Sequence, residues 1–130
     1  MRFRRNKKVR NATPCQVDDI KFKSKLEMFT YKALKQANLK AEYEGTTFSL
    51  IPKFEYNGEK VRECTLTPDF PGDGWIIECK GFPNETFPIK WKMLKYKLLK
   101  EQSNIKLYLC KNQREILEAI EQLKKLNVNN

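Results

Sequence analysis

The chain contains no histidine, and none of its four cysteines belongs to a Cys-x-x-Cys spacing. Without histidine there is no imidazole general base, which excludes the Ser-His and Cys-His arrangements of many hydrolases. The same two absences argue against a standard zinc finger. The absence of histidine therefore favours metal-assisted chemistry for any hydrolytic reaction on this chain.

Long apolar runs are also missing. No segment is apolar over the length needed to span a bilayer, and the basic N-terminus is not followed by the apolar stretch of a signal peptide. Cys64, Cys79 and Cys110 lie in apolar, strand-like segments and are expected to be buried free thiols, which fits a reducing compartment. We therefore expect a cytoplasmic protein that makes no membrane contact.

Positive charge is present in excess. The chain carries 26 lysines and arginines against 16 aspartates and glutamates, which gives a formal net charge of +10. This balance favours a polyanionic partner, most simply nucleic acid, although a basic protein without such a partner would have the same composition.

The length of 130 residues predicts one domain. We expect residues 1–14 to form a basic, flexible arm and residues 15–130 to form that domain. The arm either contacts nucleic acid or only keeps the protein in solution, and its charge density favours contact. Its candidate DNA-binding residues are Arg2, Arg4, Arg5, Lys7, Lys8 and Arg10.

Hydrophobic periodicity and turn residues predict the order of helices and strands. The predicted helices span residues 18–37, 88–102 and 113–126, and the predicted strands span 41–44, 48–50, 53–56, 60–66, 75–80 and 105–110. Asp18 and Asp19 are suitable first residues for a helix, and Asn57-Gly58 is a strong hairpin signal. Because strand 75–80 is apolar on both faces, we expect an α/β (α+β) fold with one mixed central β-sheet flanked by helices.

The second predicted helix is rich in lysine. Its first basic residues, Lys90 and Lys92, follow the loop after strand 75–80 and are candidates for contact with DNA phosphates. An ordinary solvated helix face is the alternative interpretation.

Two carboxylates and a lysine stand at the ends of two apolar segments. Side chains alternate along a strand, so Glu78 and Lys80 project from one face, while the turn at residues 71–74 can bring Asp69 beside Glu78. Two carboxylates next to an ammonium group could bind magnesium and stabilise charge on a phosphodiester. The alternative is a solvated strand end. It is disfavoured, because carboxylates are rarely placed on a buried strand without a partner.

These residues resemble the PD-(D/E)xK nuclease superfamily, since Pro68-Asp69 and Glu78-Cys79-Lys80 match the two halves of its motif. The chain is most similar to the bacteriophage endonuclease I group of Holliday-junction resolvases and to related small phage endonucleases. In that group a Ser-x-Leu-Glu element on a helix precedes Thr-Pro-Asp-Phe and Glu-x-Lys-Gly. The corresponding elements here are Ser24-Lys25-Leu26-Glu27, Thr67-Pro68-Asp69-Phe70 and Glu78-Cys79-Lys80-Gly81.

The resemblance implies a restriction-endonuclease-like core and a metal-dependent endodeoxyribonuclease. Asp69, Glu78 and the backbone carbonyl of Cys79 would hold Mg²⁺, for which Mn²⁺ could substitute. Glu27, which by its spacing alone is an ordinary boundary glutamate, would complete a second metal position or position a water molecule. Lys80 would orient the attacking water and stabilise the charge on the phosphate, giving 5′-phosphate products. The resemblance also implies that the substrate is a branched or four-way DNA junction, that the protein is a homodimer, and that it acts in the cytoplasm of a phage host.

One feature departs from the resolvases, and it leaves alternatives open. Between Glu27 and Asp69 the chain has the Asn57-Gly58 hairpin, where the resolvases have a shorter bridge that exchanges between subunits. The alternatives to a junction resolvase are a phage or restriction-type endonuclease acting on linear duplex DNA and a non-catalytic DNA-binding protein on the same fold. A basic RNA-binding or ribosomal protein is supported by charge alone.

Overall fold

The computed structural model describes residues 15–80 and 86–128, the latter without the side chains of the last two residues. The described helices are α1 (Lys25–Gln36), α2 (Phe87–Lys100) and α3 (Gln113–Val128). The described strands are β1 (Gln16–Val17), β2 (Ile20–Lys21), β3 (Phe48–Ile51), β4 (Phe54–Tyr56), β5 (Glu59–Val61), β6 (Cys64–Leu66), β7 (Phe70–Pro71), β8 (Trp75–Cys79) and β9 (Lys106–Cys110). The protein is therefore a mixed α+β structure, as the sequence predicts.

Strand β8 is the centre of the fold, and all five of its residues are buried. It pairs antiparallel with β7 and parallel with β9, so the three strands form a mixed sheet. The turn before β8 needs glycine at position 72, because a Cβ there would lie 2.1 Å from the ring of Trp75. The predicted strand at 75–80 and its burial on both faces are confirmed.

The two faces of β8 are covered by different helices. Trp75, Ile77 and Cys79 belong to a core with residues of α1 and α3, whereas Ile76 belongs to a second core with residues of α2. Helices on both sides of a mixed sheet are thus confirmed. The predicted single sheet is wrong in extent, because β3–β6, β4–β5 and β1–β2 form separate two-stranded pairs among the described residues.

The first helix begins later than the sequence analysis predicts. Asp18 and Asp19 do not start it; they have positive φ angles of 54° and 65° and form the turn between β1 and β2. Helix α1 begins at Lys25, because the hydroxyl of Ser24 accepts a hydrogen bond from the backbone N–H of Glu27 at 3.1 Å. A Ser-x-x-Glu sequence is a capping box, so this start has a sequence signal that the two aspartates obscured.

Residues 41–44 were predicted as a strand, and this is wrong. Only Ala41 makes a bridge, to Gly72, and Glu44 has a positive φ of 54° that ends any extended run. The hairpin is confirmed: β4 and β5 pair through Asn57-Gly58, with φ angles of 50° and 85° that are typical of a type I′ turn. Cys79 and Cys110 are buried as predicted, while Cys64 is only half-buried.

Some predictions lie outside the described residues. They are the arm at residues 1–14, with its six basic candidates, and residues 81–85 of the loop after β8. The described helices include none long and apolar enough to cross a membrane.

Candidate functional site

Asp69 and Glu78 lie directly opposite each other where β7 and β8 meet. The antiparallel pairing of Phe70 with Ile77 fixes this register, because the next position outward pairs Asp69 with Glu78. The backbone N–H of Asp69 donates to Glu78 Oε1 at 2.9 Å, and the backbone N–H of Cys79 donates to Asp69 Oδ2 at 2.8 Å. The predicted convergence of the two carboxylates is therefore confirmed.

Both carboxyl groups are deeply buried, with only 5% of each residue exposed. Burial, followed by the charges of Glu78 and Glu27, raises the pKa of Asp69 to about 8. Burial also raises the pKa of Glu78 to about 7, although the Asp69 N–H and the charge of Lys80 act in the opposite direction. Their other oxygens, Asp69 Oδ1 and Glu78 Oε2, accept no hydrogen bond from residues 15–80 or 86–128.

Glu27 reaches the same pocket from the first turn of α1 and is also buried, with 7% exposed. Its Oε1 accepts two hydrogen bonds, one from the backbone N–H of Lys23 at 3.0 Å and one from the hydroxyl of Tyr43. Burial and the Glu27 contact raise the pKa of Tyr43 well above its usual value, so the phenol remains a donor. One oxygen of Glu27 is thus held by the protein, and within the described residues Oε2 accepts no hydrogen bond.

Residues 43–44 connect α1 to Asp69, which lies immediately before β7. Glu44 forms an ion pair with Lys23 (Oε2 to Nζ, 2.9 Å), and its backbone N–H donates to the carbonyl of Asp69 at 2.8 Å. Tyr43 packs its ring edge-on to Phe22, with ring centroids 4.7 Å apart. No short-range spacing in the sequence marks Lys23, Tyr43 and Glu44 as site residues, because they reach the site through tertiary contacts.

Lys80 lies at the end of β8, and its backbone N–H donates to the carbonyl of Cys110 at 2.9 Å. Its ammonium group is 4.3 Å from the centroid of the Phe87 ring, which begins α2. This position keeps a positive charge beside Glu78 on the α2 side of the sheet. The face alternation predicted for Glu78 and Lys80 is consistent with this placement.

One pocket brings together six of the seven predicted site residues that lie in the described part of the chain. It has a volume of about 360 Å³, and its walls include Glu27, Asp69, Glu78, Cys79, Lys80 and Lys90. Lys92 does not line it and lies exposed on the outer side of α2. Larger clefts elsewhere among the described residues, such as one of about 550 Å³ beside Lys35 and Asn38, contain no comparable buried acids.

The buried Cys79 thiol does not add a nucleophile to the pocket. Its Sγ lies 3.3 Å from the hydroxyl oxygen of Thr30, and burial raises the pKa of the thiol far above its usual range. The thiolate that nucleophilic chemistry needs is therefore not formed near neutral pH. The backbone of Cys79 remains relevant, because its carbonyl oxygen lies beside Glu78 in the chain.

The donor set fits a hard divalent cation. Two buried carboxylates each present one oxygen without a described donor, and magnesium prefers oxygen ligands of this kind. Within the described part of the chain, no three histidine, cysteine, aspartate or glutamate side chains form a group that could hold a metal ion by themselves. A cation here would therefore use Asp69, Glu78 and a backbone carbonyl, and Glu27 lines the same pocket.

Comparison with known protein families matches residues 6–115 to the family described as "Protein of unknown function (DUF1064)". Comparisons with curated proteins and with solved structures find no match to the chain. Because the match covers most of the sequence, the protein belongs to the DUF1064 family, whose function is unknown.

Proposed function

We propose that this protein is a divalent-metal-dependent endodeoxyribonuclease with a restriction-endonuclease-like core of the PD-(D/E)xK type. The observation that carries the proposal is the pairing of Asp69 with Glu78, each only 5% exposed. The backbone N–H of Asp69 donates to the Glu78 carboxylate, and the backbone N–H of Cys79 donates to the Asp69 carboxylate. Burying two like charges side by side costs stability unless a cation compensates them. Such an arrangement is typical of a functional site.

The cofactor proposed is Mg²⁺, with Mn²⁺ as a substitute. When bound, it would supply Lewis acidity and neutralise charge on a phosphodiester. Asp69, Glu78 and the Cys79 carbonyl are the residues that would hold it, and Glu27, fixed through Oε1, leaves Oε2 for a second cation or a water molecule.

Lys80 is the residue we assign to the phosphate. Its ammonium group lies on the Glu78 side of the pocket, over the ring of Phe87. A fixed positive charge there would stabilise the negative charge that develops during hydrolysis and would help to orient the attacking water. Lys90, which also lines the pocket, would contact a neighbouring phosphate.

DNA is the proposed substrate, and branched DNA such as a four-way junction is the preferred form. The net charge of +10 supports a polyanion, and the resemblance to junction resolvases supports a branched one and a homodimer. The cysteines form no disulfide with one another, which supports the cytoplasm as the location.

The test is cleavage of a labelled four-way junction and of a linear duplex of the same sequence, in Mg²⁺ and in EDTA. Asp69→Asn is the inactive variant, and Asp73→Asn, an exposed aspartate in the turn before β8, is its matched control. We expect Mg²⁺-dependent cleavage by the wild type and by Asp73→Asn, and none by Asp69→Asn. Cuts confined to the junction would identify a resolvase, and equal cutting of both would identify a nuclease of linear duplex.

Two results would contradict the proposal. Full activity of Asp69→Asn would remove the metal assignment. Tight binding of both substrates without cleavage in Mg²⁺ or Mn²⁺ would identify a non-catalytic DNA-binding protein instead.

A further inference from the structure

Helix α2 carries an unusual surface on the side that faces away from the sheet. Its inward side is buried through Phe87, Trp91, Leu94 and Leu98. The opposite side exposes large apolar residues together with lysines. We call this surface the lysine face of α2; its members are Lys92, Lys95, Tyr96, Leu99 and Lys100.

The charge of the lysine face is not compensated within the described chain. Helix α2 contains five lysines and no acidic residue. Lys97 forms an ion pair with Glu101 at 2.9 Å, but Lys92, Lys95 and Lys100 form none with residues 15–80 or 86–128. Five lysines on one helix repel one another, so an anionic partner would relieve an unfavourable interaction.

The apolar members of the face are as informative as its charge. Tyr96 is 62% exposed and Leu99 is 72% exposed, so two large apolar side chains lie about one helical turn apart on this surface. The ammonium group of Lys100 lies 5.8 Å from the centroid of the Tyr96 ring. An exposed aromatic ring among lysines can stack on unpaired bases while the lysines contact phosphates.

The lysine face lies on the same helix that forms one wall of the acidic pocket. Helix α2 begins at the pocket wall, where Phe87 and Lys90 lie beside Lys80. From Lys92 to Lys100 the helix rises about 12 Å, which is the length of roughly three to four base steps of one DNA strand. A strand with one phosphate in the pocket could therefore extend along the helix.

We propose that the lysine face of α2 binds the DNA segment that leads away from the scissile phosphate. Lys92, Lys95 and Lys100 contact its phosphates, and Tyr96 contacts its sugars or unpaired bases. This inference rests on the proposed nuclease function and adds to the pocket a surface that binds the DNA next to the cleavage position. A second copy of the chain does not fit the face, because two such lysine clusters would repel each other.

The experiment measures binding of a fluorescent four-way junction by anisotropy in EDTA, in an Asp69→Asn background so that the DNA stays intact. The test variant is Lys92→Gln/Lys95→Gln/Lys100→Gln. The matched control is Lys111→Gln/Lys124→Gln/Lys125→Gln, which makes the same change in net charge at or near α3, on the opposite side of β8. All six lysines are exposed, so both triple variants should fold, which circular dichroism checks.

We expect the test variant to lose about tenfold or more in affinity. Its plot of log affinity against log salt should also become shallower by about 2 to 3, because each lost phosphate contact removes about 0.9 from the slope. The control should stay within about twofold of the background protein. Lys92→Arg/Lys95→Arg/Lys100→Arg should bind as the background protein does, since it keeps the charges.

Equal losses in the test and control variants would overturn the inference, because only the overall charge would then matter. Cleavage by the wild type in Mg²⁺ is measured separately and decides the nuclease proposal. If the wild type cleaves DNA while the test and control variants bind alike, the inference about the lysine face is rejected and the nuclease proposal is kept. If the wild type does not cleave and only the test variant binds weakly, the lysine face is a DNA-binding surface and the nuclease proposal is rejected.

Discussion

At the residue scale, Asp69 and Glu78 keep carboxyl groups in a buried position where their charged forms are disfavoured. Their pKa values, about 8 and about 7, exceed those of the unfolded chain, which are about 4. The folded protein therefore binds more protons than the unfolded chain between these values. It follows that the free energy of unfolding of the metal-free protein falls as pH rises from about 4 to about 8.

Asp69→Asn should for this reason stabilise the metal-free protein while it abolishes cleavage. Each unit of pKa shift corresponds to about 1.4 kcal/mol of free energy. Water entry and relaxation around the charged group reduce this cost, so less is recovered when a neutral amide replaces the carboxylate. We therefore expect the free energy of unfolding to rise by roughly 1 to 3 kcal/mol at pH 8. The gain should shrink towards pH 5, where Asp69 is already protonated. Urea unfolding in EDTA at both pH values measures it, with Asp73→Asn as the exposed control. If Asp69→Asn were less stable than the wild type at pH 8, the buried Asp69 charge would not be destabilising.

Tyr43 is a positioning residue for Glu27, because its hydroxyl donates to Glu27 Oε1 from a half-buried ring. Tyr43→Phe should lower the cleavage rate by about tenfold or more, since a hydrogen bond to a charged group contributes about 1.5 to 3 kcal/mol. Affinity for DNA should not change, and more Mg²⁺ should be needed for half-maximal rate. Tyr31→Phe is the control, since that hydroxyl donates to Asp18 at the surface, away from the pocket. An equal effect of both variants would assign Tyr43 a general structural role.

At the element scale, strands β3 to β6 form a ribbon over residues 48–66, and its outer half, which contains β4 and β5, is exposed. Every residue from 51 to 60 is exposed, and β4 and β5 pair only with each other among the described strands. Two paired strands alone have marginal stability, so this half contributes little to the core. The root of the ribbon is different, because Leu66 packs in the core beneath α2.

Replacing residues 52–63 by Asn-Gly should therefore leave the fold intact. Ile51 and Cys64 are already paired, so a two-residue type I′ turn can join them directly. We expect the free energy of unfolding to change by less than about 1 kcal/mol, as measured by urea unfolding. Light scattering then tests the proposed homodimer. A dimer that survives the deletion does not depend on this hairpin, whereas a large loss of stability would mean that the hairpin packs on the core.

The elements differ in how far the sequence could predict them. Strand β8 could be predicted because three consecutive apolar residues, a Pro-Gly-Asp-Gly turn and strand alternation all agree. The same signals predicted Asp69 opposite Glu78, which the pairing of β7 with β8 confirms. The start of α1 was misplaced because two aspartates are good helix N-caps and equally good turn residues. The competing signal, Ser24 followed by Glu27, is also in the sequence, and the folded chain uses it: Ser24 caps the helix and the aspartates form a turn.

Part of the site was not predictable in this way. Glu44 adopts a positive φ that non-glycine residues rarely adopt, and it does so while its N–H is bonded to the carbonyl of Asp69. Tyr43 and Lys23 meet Glu27 from separate segments, so no local spacing reveals them. The ligand-like residues were thus visible in the sequence, and the residues that hold them in place were not.

At the scale of the whole molecule, the pocket joins parts of the chain that are far apart in sequence. Helix α1 supplies Glu27, and the segment before β3 supplies Glu44. The residue before β7 and strand β8 supply the carboxylate pair, while α2 closes one side. A cation bound between these parts would favour the folded state over the unfolded chain, where the ligands are dispersed. Metal binding should therefore appear as stabilisation of the entire fold.

We expect Mg²⁺ or Mn²⁺ to raise the melting temperature at pH 8, where the carboxylates are most ionised. At a concentration about a hundred times the dissociation constant, the gain is about 2.7 kcal/mol, which for a chain of this size corresponds to roughly 6 to 12 °C. Potassium chloride at the same ionic strength controls for screening of the net charge. Asp69→Asn and Glu78→Gln should lose the shift and Asp73→Asn should keep it. A shift of equal size in Asp69→Asn would place the cation elsewhere, and this result would not depend on whether the protein cleaves DNA.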